Sequence, residues 1–480
     1  MKHLTPVICL LLLSLLLSLT AFTQQPSEYF SPLSAKEYSE EIERLKKFKA
    51  EKKYQDKLSQ EYYDFFVSNT NKEILLQLEK DHIVKDSLLL GRCEDIIKKI
   101  KRANNNYNLD SIRIYINRSF VPNAACYGEG TIMINLGLIL LTENEHELAM
   151  AIGHEIAHQL LLHSDQKMKS TIKKFTSEDF LDELKSINKS SYEKYSRFKK
   201  LMEGHSVETS RHSRFKESEA DSLGAAIITN AGFDAVTGAK LLLKLDLSDQ
   251  WLIAKDLYNI RNTFEPAAIS TAYFTSGSRY KGLSKIEITA EKTKLADSLK
   301  THPDCSLRYK ALTGIDTKVE IECCEKFSSP GKSIQERALF EIIRNLYETN
   351  NLTETIHFSL IALKSGYDAN IYNRFIALAF SRMYHQDRFM KRFESVNAQA
   401  PPNSTLKELQ DFLFAIKAAE IDLLALYYLN KLEGKSEDDL FARMQYNLLV
   451  KNSGVAKPDS AEIKEYDQNK YAYILKQILK

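Results

Sequence analysis

The most constraining feature of the chain is the segment 142–162, in which apolar residues recur at four-residue spacing. The recurring residues are Leu148, Ile152 and Ile156. This spacing predicts an amphipathic helix with one buried stripe. Thr142 and Glu145 have the separation of a capping box, so we expect the helix to begin at Thr142. On such a helix, side chains four residues apart lie on one face, one turn apart.

The predicted helix carries the motif H-E-x-x-H, formed by His154, Glu155 and His158. Both imidazoles can bind the same zinc ion, while Glu155 projects beside them and can take a proton from water. A random chain of this length and composition would contain the motif in roughly one or two cases per hundred. Its position on a strongly amphipathic helix argues further against chance. We interpret the motif as part of a catalytic metal site.

A catalytic zinc ion usually has three protein ligands, and its fourth position is left for water. His163 lies nine residues after His154 and would point about 180° away on the same helix, which predicts a surface residue. A third histidine in the metzincin arrangement is excluded, because that pattern requires glycine at Leu161 and histidine at Ser164. We therefore expect the third ligand to be a carboxylate on a second helix.

The sequence E-S-E-A-D at 217–221 offers this carboxylate, on a helix predicted to span 214–230. Glu217 and Asp221 share one helical face, and Glu219 lies roughly opposite them. We assign Glu217 to the metal and Asp221 to a hydrogen bond with a ligand imidazole, whereas Glu219 is expected to be solvated or structural. Surface charges are the alternative interpretation. Small residues that allow close packing against another helix favour the metal site: Ala220, Gly224 and Ala225.

The two motifs together resemble the gluzincin metallopeptidases of the HtpX and CAAX-prenyl-protease type, metallopeptidase family forty-eight, and especially their soluble periplasmic BepA-like branch. The resemblance runs from about Leu88 to Leu312. Further segments that carry it are Asn123-Ala124, Asn135 to Leu141 with Gly137, Asn144 to Leu148, Thr301-His302-Pro303 and Arg308. It implies one zinc ion per chain, bound by His154, His158 and Glu217, with Glu155 activating water.

Three further roles are implied by the resemblance. His302 would lie at the metal cleft, where it either hydrogen-bonds the oxyanion or covers the zinc in a resting state. The residues alone favour the alternative that His302 is a turn residue before Pro303, and the family pattern reverses that preference. Arg308 would support His302 or hold the substrate backbone, and Asn123 would lie on the substrate edge. The residues 125–130 depart from the usual family pattern, which affects the expected edge strand and not the metal site.

A small sheet is predicted before the motif helix. In 112–116, isoleucines alternate with Arg113 and Tyr115, and such alternation predicts a half-buried strand. A second strand is predicted at 131–135, and a charged, mostly helical excursion at 165–213. The expected fold class is α+β, mainly α, with a gluzincin-type metallopeptidase domain followed by an all-α domain.

We predict four regions from these patterns. The final helices contain two similar stretches, which suggests a tetratricopeptide-type array, with plain helical hairpins as the alternative. The regions are a signal peptide (1–23), an N-terminal helical region (24–105), a zinc metallopeptidase domain (106–315) and a C-terminal helical, tetratricopeptide-like domain (330–480).

Composition and the N-terminus bound the location and the partners. Lys and Arg total 66 against 64 Asp and Glu, which does not favour a nucleic-acid partner. Residues 4–22 carry no charge and predict a secretory signal, cleaved near Thr23, or an anchor if it stays uncleaved. We expect an exported protein of the periplasm or cell envelope, without an integral membrane domain after signal removal.

The resulting functional hypothesis is an exported zinc endopeptidase that acts on unfolded or misassembled envelope proteins in quality control. An extended substrate would add as a strand beside the segment 123–131 and be recognised mainly through its backbone. The alternative is a chaperone or assembly factor, in which the C-terminal helices hold a client or contact envelope assembly machinery while the zinc site is latent.

Overall fold

A computed structural model describes residues 39–47, 53–79, 83–84, 86–190, 192–253, 257–275, 305–315, 333–396, 404–433 and 437–451. The predicted signal peptide and His302 lie outside the described residues, so both assignments stay predictions. Cys93 and Cys126 carry free thiols.

The described residues form a mainly α-helical α+β fold with a three-stranded sheet, as the sequence predicts. The strands are β1 (Arg113–Asn117), β2 (Ala124–Cys126) and β3 (Thr131–Asn135). Their order is β1-β3-β2, with β1 parallel and β2 antiparallel to the central strand. The short strand β2 is therefore an edge of the sheet, and 127–130 turn the chain back into β3.

The expectation that the first strand is half-buried is wrong. Tyr115, on the face predicted to be solvated, is 8% exposed, and Ile116 on the other face is fully buried. The N-terminal helices α1 (Ser39–Lys47) and α2 (Lys57–Glu79) cover the Tyr115 face with an apolar cluster. Alternation in the sequence shows only that the two faces of the strand differ in polarity. Whether both faces are buried depends on the other elements that pack against them.

Three helices surround the sheet: α3 (Ser87–Ala103), α4 (Leu136–Leu141) and the motif helix α5 (Glu145–Leu160). The predicted cap at Thr142 is wrong. Asn144 caps α5 by accepting a hydrogen bond from the Glu147 backbone N–H at 3.0 Å. Thr142 instead ends α4, where its hydroxyl donates to the Ile139 carbonyl at 2.8 Å. Both residues are good capping types, and the preceding short helix already uses the threonine.

The excursion after the motif helix consists of α6 (His163–Phe175), α7 (Glu178–Lys189) and the first half of α8 (Lys194–Asn230). The second motif helix was predicted to begin at residue 214 and instead begins at Lys194. Its first half packs on α7, within an apolar cluster that also includes residues of α2 and α6. This contact with distant elements stabilises a polar stretch that carries no regular apolar stripe.

The remaining helices are α9 (Ala235–Ile253), α10 (Ile260–Phe264), α11 (Ala272–Thr275), α12 (Cys305–Thr313), α13 (Ser333–Glu348), α14 (Leu352–Lys364), α15 (Ala369–Arg388), α16 (Arg392–Val396), α17 (Thr405–Ala415), α18 (Ala418–Leu429) and α19 (Glu437–Tyr446). One buried apolar cluster joins the sheet, α5 and the C-terminal helices. Within the described ranges, no helix has both the length and the apolarity that a bilayer crossing requires.

Candidate metal centre

The two motif helices meet at a pair of glycines. A Cβ atom built on Gly224 of α8 would lie 2.9 Å from the backbone nitrogen of His154, and one on Gly153 of α5 would lie 3.1 Å from the Gly224 carbonyl oxygen. Backbones come this close only where side chains are absent. The close helix packing predicted from the small residues is confirmed, and it places Glu217 and Asp221 opposite the H-E-x-x-H face.

The structure brings His154, His158 and Glu217 together, with one potential ligand atom from each within 4.8 Å of the others. The two Nε2 atoms are 2.9 Å apart, and each lies 3.5 Å from a carboxylate oxygen of Glu217. Ligands of a tetrahedral zinc ion with bonds of about 2.0–2.1 Å are separated by roughly 3.3 Å. The donor types and the spacing therefore fit a zinc ion.

The electrostatics of the three side chains also suit a cation. Burial raises the pKa of Glu217, but hydrogen bonds to His154 and His158 outweigh this and hold the pKa well below its usual range. Burial alone would lower the pKa of His154, yet Asp221 and Glu217 raise it to about 10. The carboxylates thus stabilise positive charge at the point where the three ligand atoms meet.

Asp221 holds the first histidine. Its Oδ1 atom lies 2.9 Å from His154 Nδ1, the nitrogen that faces away from the ligand cluster. Arg308 of α12 donates to both oxygens of Asp221 at 2.7 Å, and its Nη1 atom lies 3.0 Å from Glu217 Oε2. Arg308 is 8% exposed and engages the two carboxylates. Its predicted contact with substrate or with His302 stays a prediction.

Glu155 lies between the ligand cluster and the edge strand. Its side chain is buried, and burial raises its pKa, whereas the nearby imidazoles and the Cys126 backbone N–H favour the carboxylate. Raising the pKa of a carboxylate makes it a stronger base, which suits a group that takes a proton from water. The location beside two histidines fits the base role predicted from the sequence.

Asn123 directly precedes the edge strand, and its carbonyl accepts a hydrogen bond from Asn135 at 3.0 Å. Cys126 ends the strand, where Ser164 donates to its carbonyl at 3.3 Å. The available edge is therefore shorter than the segment 123–131 expected from the sequence. A pocket opens beside His154 and Glu155, and its apolar lining consists of Ala124, Leu138, Met150, Ala151, Leu241, Leu242 and Leu245.

His163 is the residue that sequence reasoning missed, because the prediction of a surface position is wrong. Leu162 adopts a left-handed conformation (φ 54°), ends the motif helix and lets α6 begin at His163. The His163 side chain is 4% exposed, and its Nδ1 atom lies 2.9 Å from Nδ1 of His158. Neither glycine nor proline marks this break, so the prediction from helical periodicity extended one helix past it.

Glu219 lies near this second imidazole. Its Oε2 atom is 3.5 Å from Nε2 of His163, and its side chain is 42% exposed. Burial lowers the pKa of His163, which favours its neutral form. The expectation that Glu219 is solvated or structural is compatible with this position, but the contact with a histidine that touches a predicted ligand was not foreseen.

Comparison with known proteins agrees with this geometry. No curated protein matches the chain. Residues 91–316 match the model of peptidase family M48, and this stretch contains both motif helices, Arg308 and the sheet. Residues 91–316 therefore form a peptidase family M48 domain, and this match supports a metallopeptidase.

Proposed function

We propose that the protein is an exported zinc-dependent endopeptidase that hydrolyses peptide bonds of unfolded or misassembled envelope proteins. The observation that carries this proposal is the convergence of His154, His158 and Glu217, with Glu155 beside them. A zinc ion bound there would lower the pKa of water towards about 7 and polarise the scissile carbonyl. Glu155 would take the proton of the attacking water and deliver it to the leaving amine.

The edge strand supports an extended substrate. A peptide laid along Ala124 would form backbone hydrogen bonds and so be selected for an unfolded conformation. The apolar pocket beside Glu155 would receive one apolar side chain of that peptide. Unfolded proteins expose backbone hydrogen-bonding groups and apolar side chains, whereas folded proteins bury most of them. The export step rests on the charge-free segment 4–22 of the sequence.

A second function, client holding, is favoured by one observation on the C-terminal helices. Three large apolar side chains are exposed around the junction of α15 and α16: Phe389, Met390 and Phe393. Exposed apolar side chains of this kind can contact unfolded chains or assembly partners. Holding and hydrolysis are compatible, because the exposed group lies on helices outside the metal centre.

Metal analysis and cleavage of unfolded casein test the endopeptidase proposal. The purified full-length protein should contain about one zinc per chain, because three ligands complete the site. The Glu155→Gln protein should keep zinc and fold but lose hydrolysis, since an amide cannot accept the proton. Glu94→Gln, at an exposed position of α3, is the matched control and should cleave normally. Cleavage at the native rate by Glu155→Gln would refute the role of Glu155 as base.

A further inference from the structure

The second ligand histidine has a contact that neither the motif nor the proposed reaction uses. The Nε2 atom of His158 faces His154 and Glu217, and the opposite ring nitrogen, Nδ1, lies 2.9 Å from Nδ1 of His163. The two rings are nearly perpendicular, with centroids 4.9 Å apart. This arrangement directs one nitrogen of each ring at the other and is not aromatic stacking.

Counting protons assigns a direction to this hydrogen bond. When Nε2 of His158 binds a cation, its Nδ1 atom must carry the proton and donate. The Nδ1 atom of His163 must then accept, so the single proton of this neutral imidazole is on Nε2. His163 Nε2 lies 3.5 Å from Glu219 Oε2 without a hydrogen bond, so the contact between them is electrostatic. The contact between the two Nδ1 atoms then has one donor and one acceptor.

We propose that His163, backed by Glu219, is a positioning residue that holds the imidazole of His158 in the orientation and tautomer required for zinc binding. This inference rests on the proposed zinc site and adds two residues to it. His163 would do for His158 what Asp221 does for His154. A metal-bound histidine generally needs such a partner on its other nitrogen, because the partner fixes the tautomer and the ring orientation.

The strained backbone at Leu162 independently supports a functional reason for the position of His163. A leucine with positive φ is strained by about 1 kcal/mol or more. Its side chain is 55% exposed, so burial of the leucine does not offset that strain. The consequence of the conformation is that His163 starts a new helix beside His158. A continuous helix would have placed His163 about 180° from His154.

Contacts of α6 with α8 keep His163 in place. Lys216, which directly precedes Glu217 in the sequence, has its Nζ atom 3.4 Å from the His163 carbonyl oxygen. The helix that supplies the third ligand therefore also contacts the backbone and the ring of His163. A purely structural role of a buried histidine between two helices is the competing explanation, and the test must separate it from positioning.

Zinc affinity of the full-length protein, measured by competition with a chromophoric chelator, tests the proposal. His163→Leu fills the space without an acceptor and should weaken zinc binding by about 10- to 100-fold. His163→Asn offers a side-chain oxygen near the position of Nδ1 and should recover most of that loss. Nitrogen NMR of the zinc-loaded protein should show His163 neutral, with its proton on Nε2.

His146→Leu is the matched control on the same motif helix. The Nδ1 atom of His146 accepts a hydrogen bond from the Asp234 backbone at 3.2 Å, so this variant should lower the melting temperature without changing zinc affinity. Native zinc affinity of His163→Leu, or an equal loss in His163→Asn, would overturn the proposal. If wild-type protein binds zinc and shows the predicted order of variants but cleaves no casein, the inference stands and the proposed endopeptidase function fails.

Discussion

The two ligand histidines are held by regions of opposite character. His154 faces the carboxylate of Asp221, which is fixed by the guanidinium of Arg308, and this network is almost completely buried. His158 faces the imidazole of His163, whose other nitrogen lies 3.5 Å from the carboxylate of Glu219, a side chain that is 42% exposed.

The first contact is expected to affect the stability of the fold, and the second only the orientation of a metal ligand. The buried ionic network connects α5, α8 and α12, and removing one member would leave an uncompensated charge in the interior. The histidine pair connects α5 with the adjacent α6, and its loss leaves no buried charge. We infer that the first contact couples metal binding to the fold, whereas the second tunes only the ligand.

Replacement of the third ligand should have the largest effect, because Glu217 faces both histidines. Glu217→Ala should lose most of the zinc, as measured by metal analysis after dialysis. Glu219→Ala, on the same helix, should keep zinc within about tenfold of the native affinity, since it acts only through His163. Equal loss in both variants, or loss only in Glu219→Ala, would show that the third ligand is misassigned.

Removing the Arg308 guanidinium should disrupt the buried ionic network around Asp221 and leave the contact between His158 and His163 in place. Arg308→Leu leaves Asp221 and Glu217 buried without their partner, and we expect a loss of about 3 to 5 kcal/mol in the free energy of unfolding of the zinc-free protein. Urea titration measures it. The control is Arg197→Leu, which removes a half-exposed ion pair with Glu183 and should cost about 0 to 1 kcal/mol. Similar costs for the two variants would contradict the contrast between the regions.

Separating the motif helices should weaken both regions by a smaller amount. A methyl group at Gly224 meets the backbone of α5 at 2.9 Å, so Gly224→Ala should cost about 1 to 3 kcal/mol of stability and lower zinc affinity. Gly91→Ala, in α3, meets nothing within 4 Å and should stabilise by up to about 1 kcal/mol. If Gly224→Ala behaves like Gly91→Ala, the close helix contact does not support the site.

Helical periodicity predicted a large part of the site correctly at the level of geometry. It placed His154 and His158 on one face of a helix and Glu217 with Asp221 on one face of another, and the structure brings these faces together. These positions are local properties, since 3.6 residues per turn fixes which side chains are neighbours.

Contacts between distant segments account for what the sequence did not predict. The first half of α8 and the buried face of β1 depend on helices far away in the chain. Arg308 was expected to support His302 or hold the substrate backbone, and its contact with Asp221, 87 residues away, was not predicted. The resemblance to a family identified Arg308 without identifying its contact.

The sequence by itself determined the two motif helices, the ligand types they present and the small residues that let them meet, because each depends on local spacing and side-chain size. Only the tertiary structure decided which residue contacts the second ring nitrogen of each ligand histidine. The left-handed turn at Leu162, which brings His163 to His158, costs free energy locally and is accompanied by contacts of His163 with Lys216 and Glu219 of α8. Such a conformation has no local sequence signal, since the interactions that stabilise it come from elsewhere in the fold.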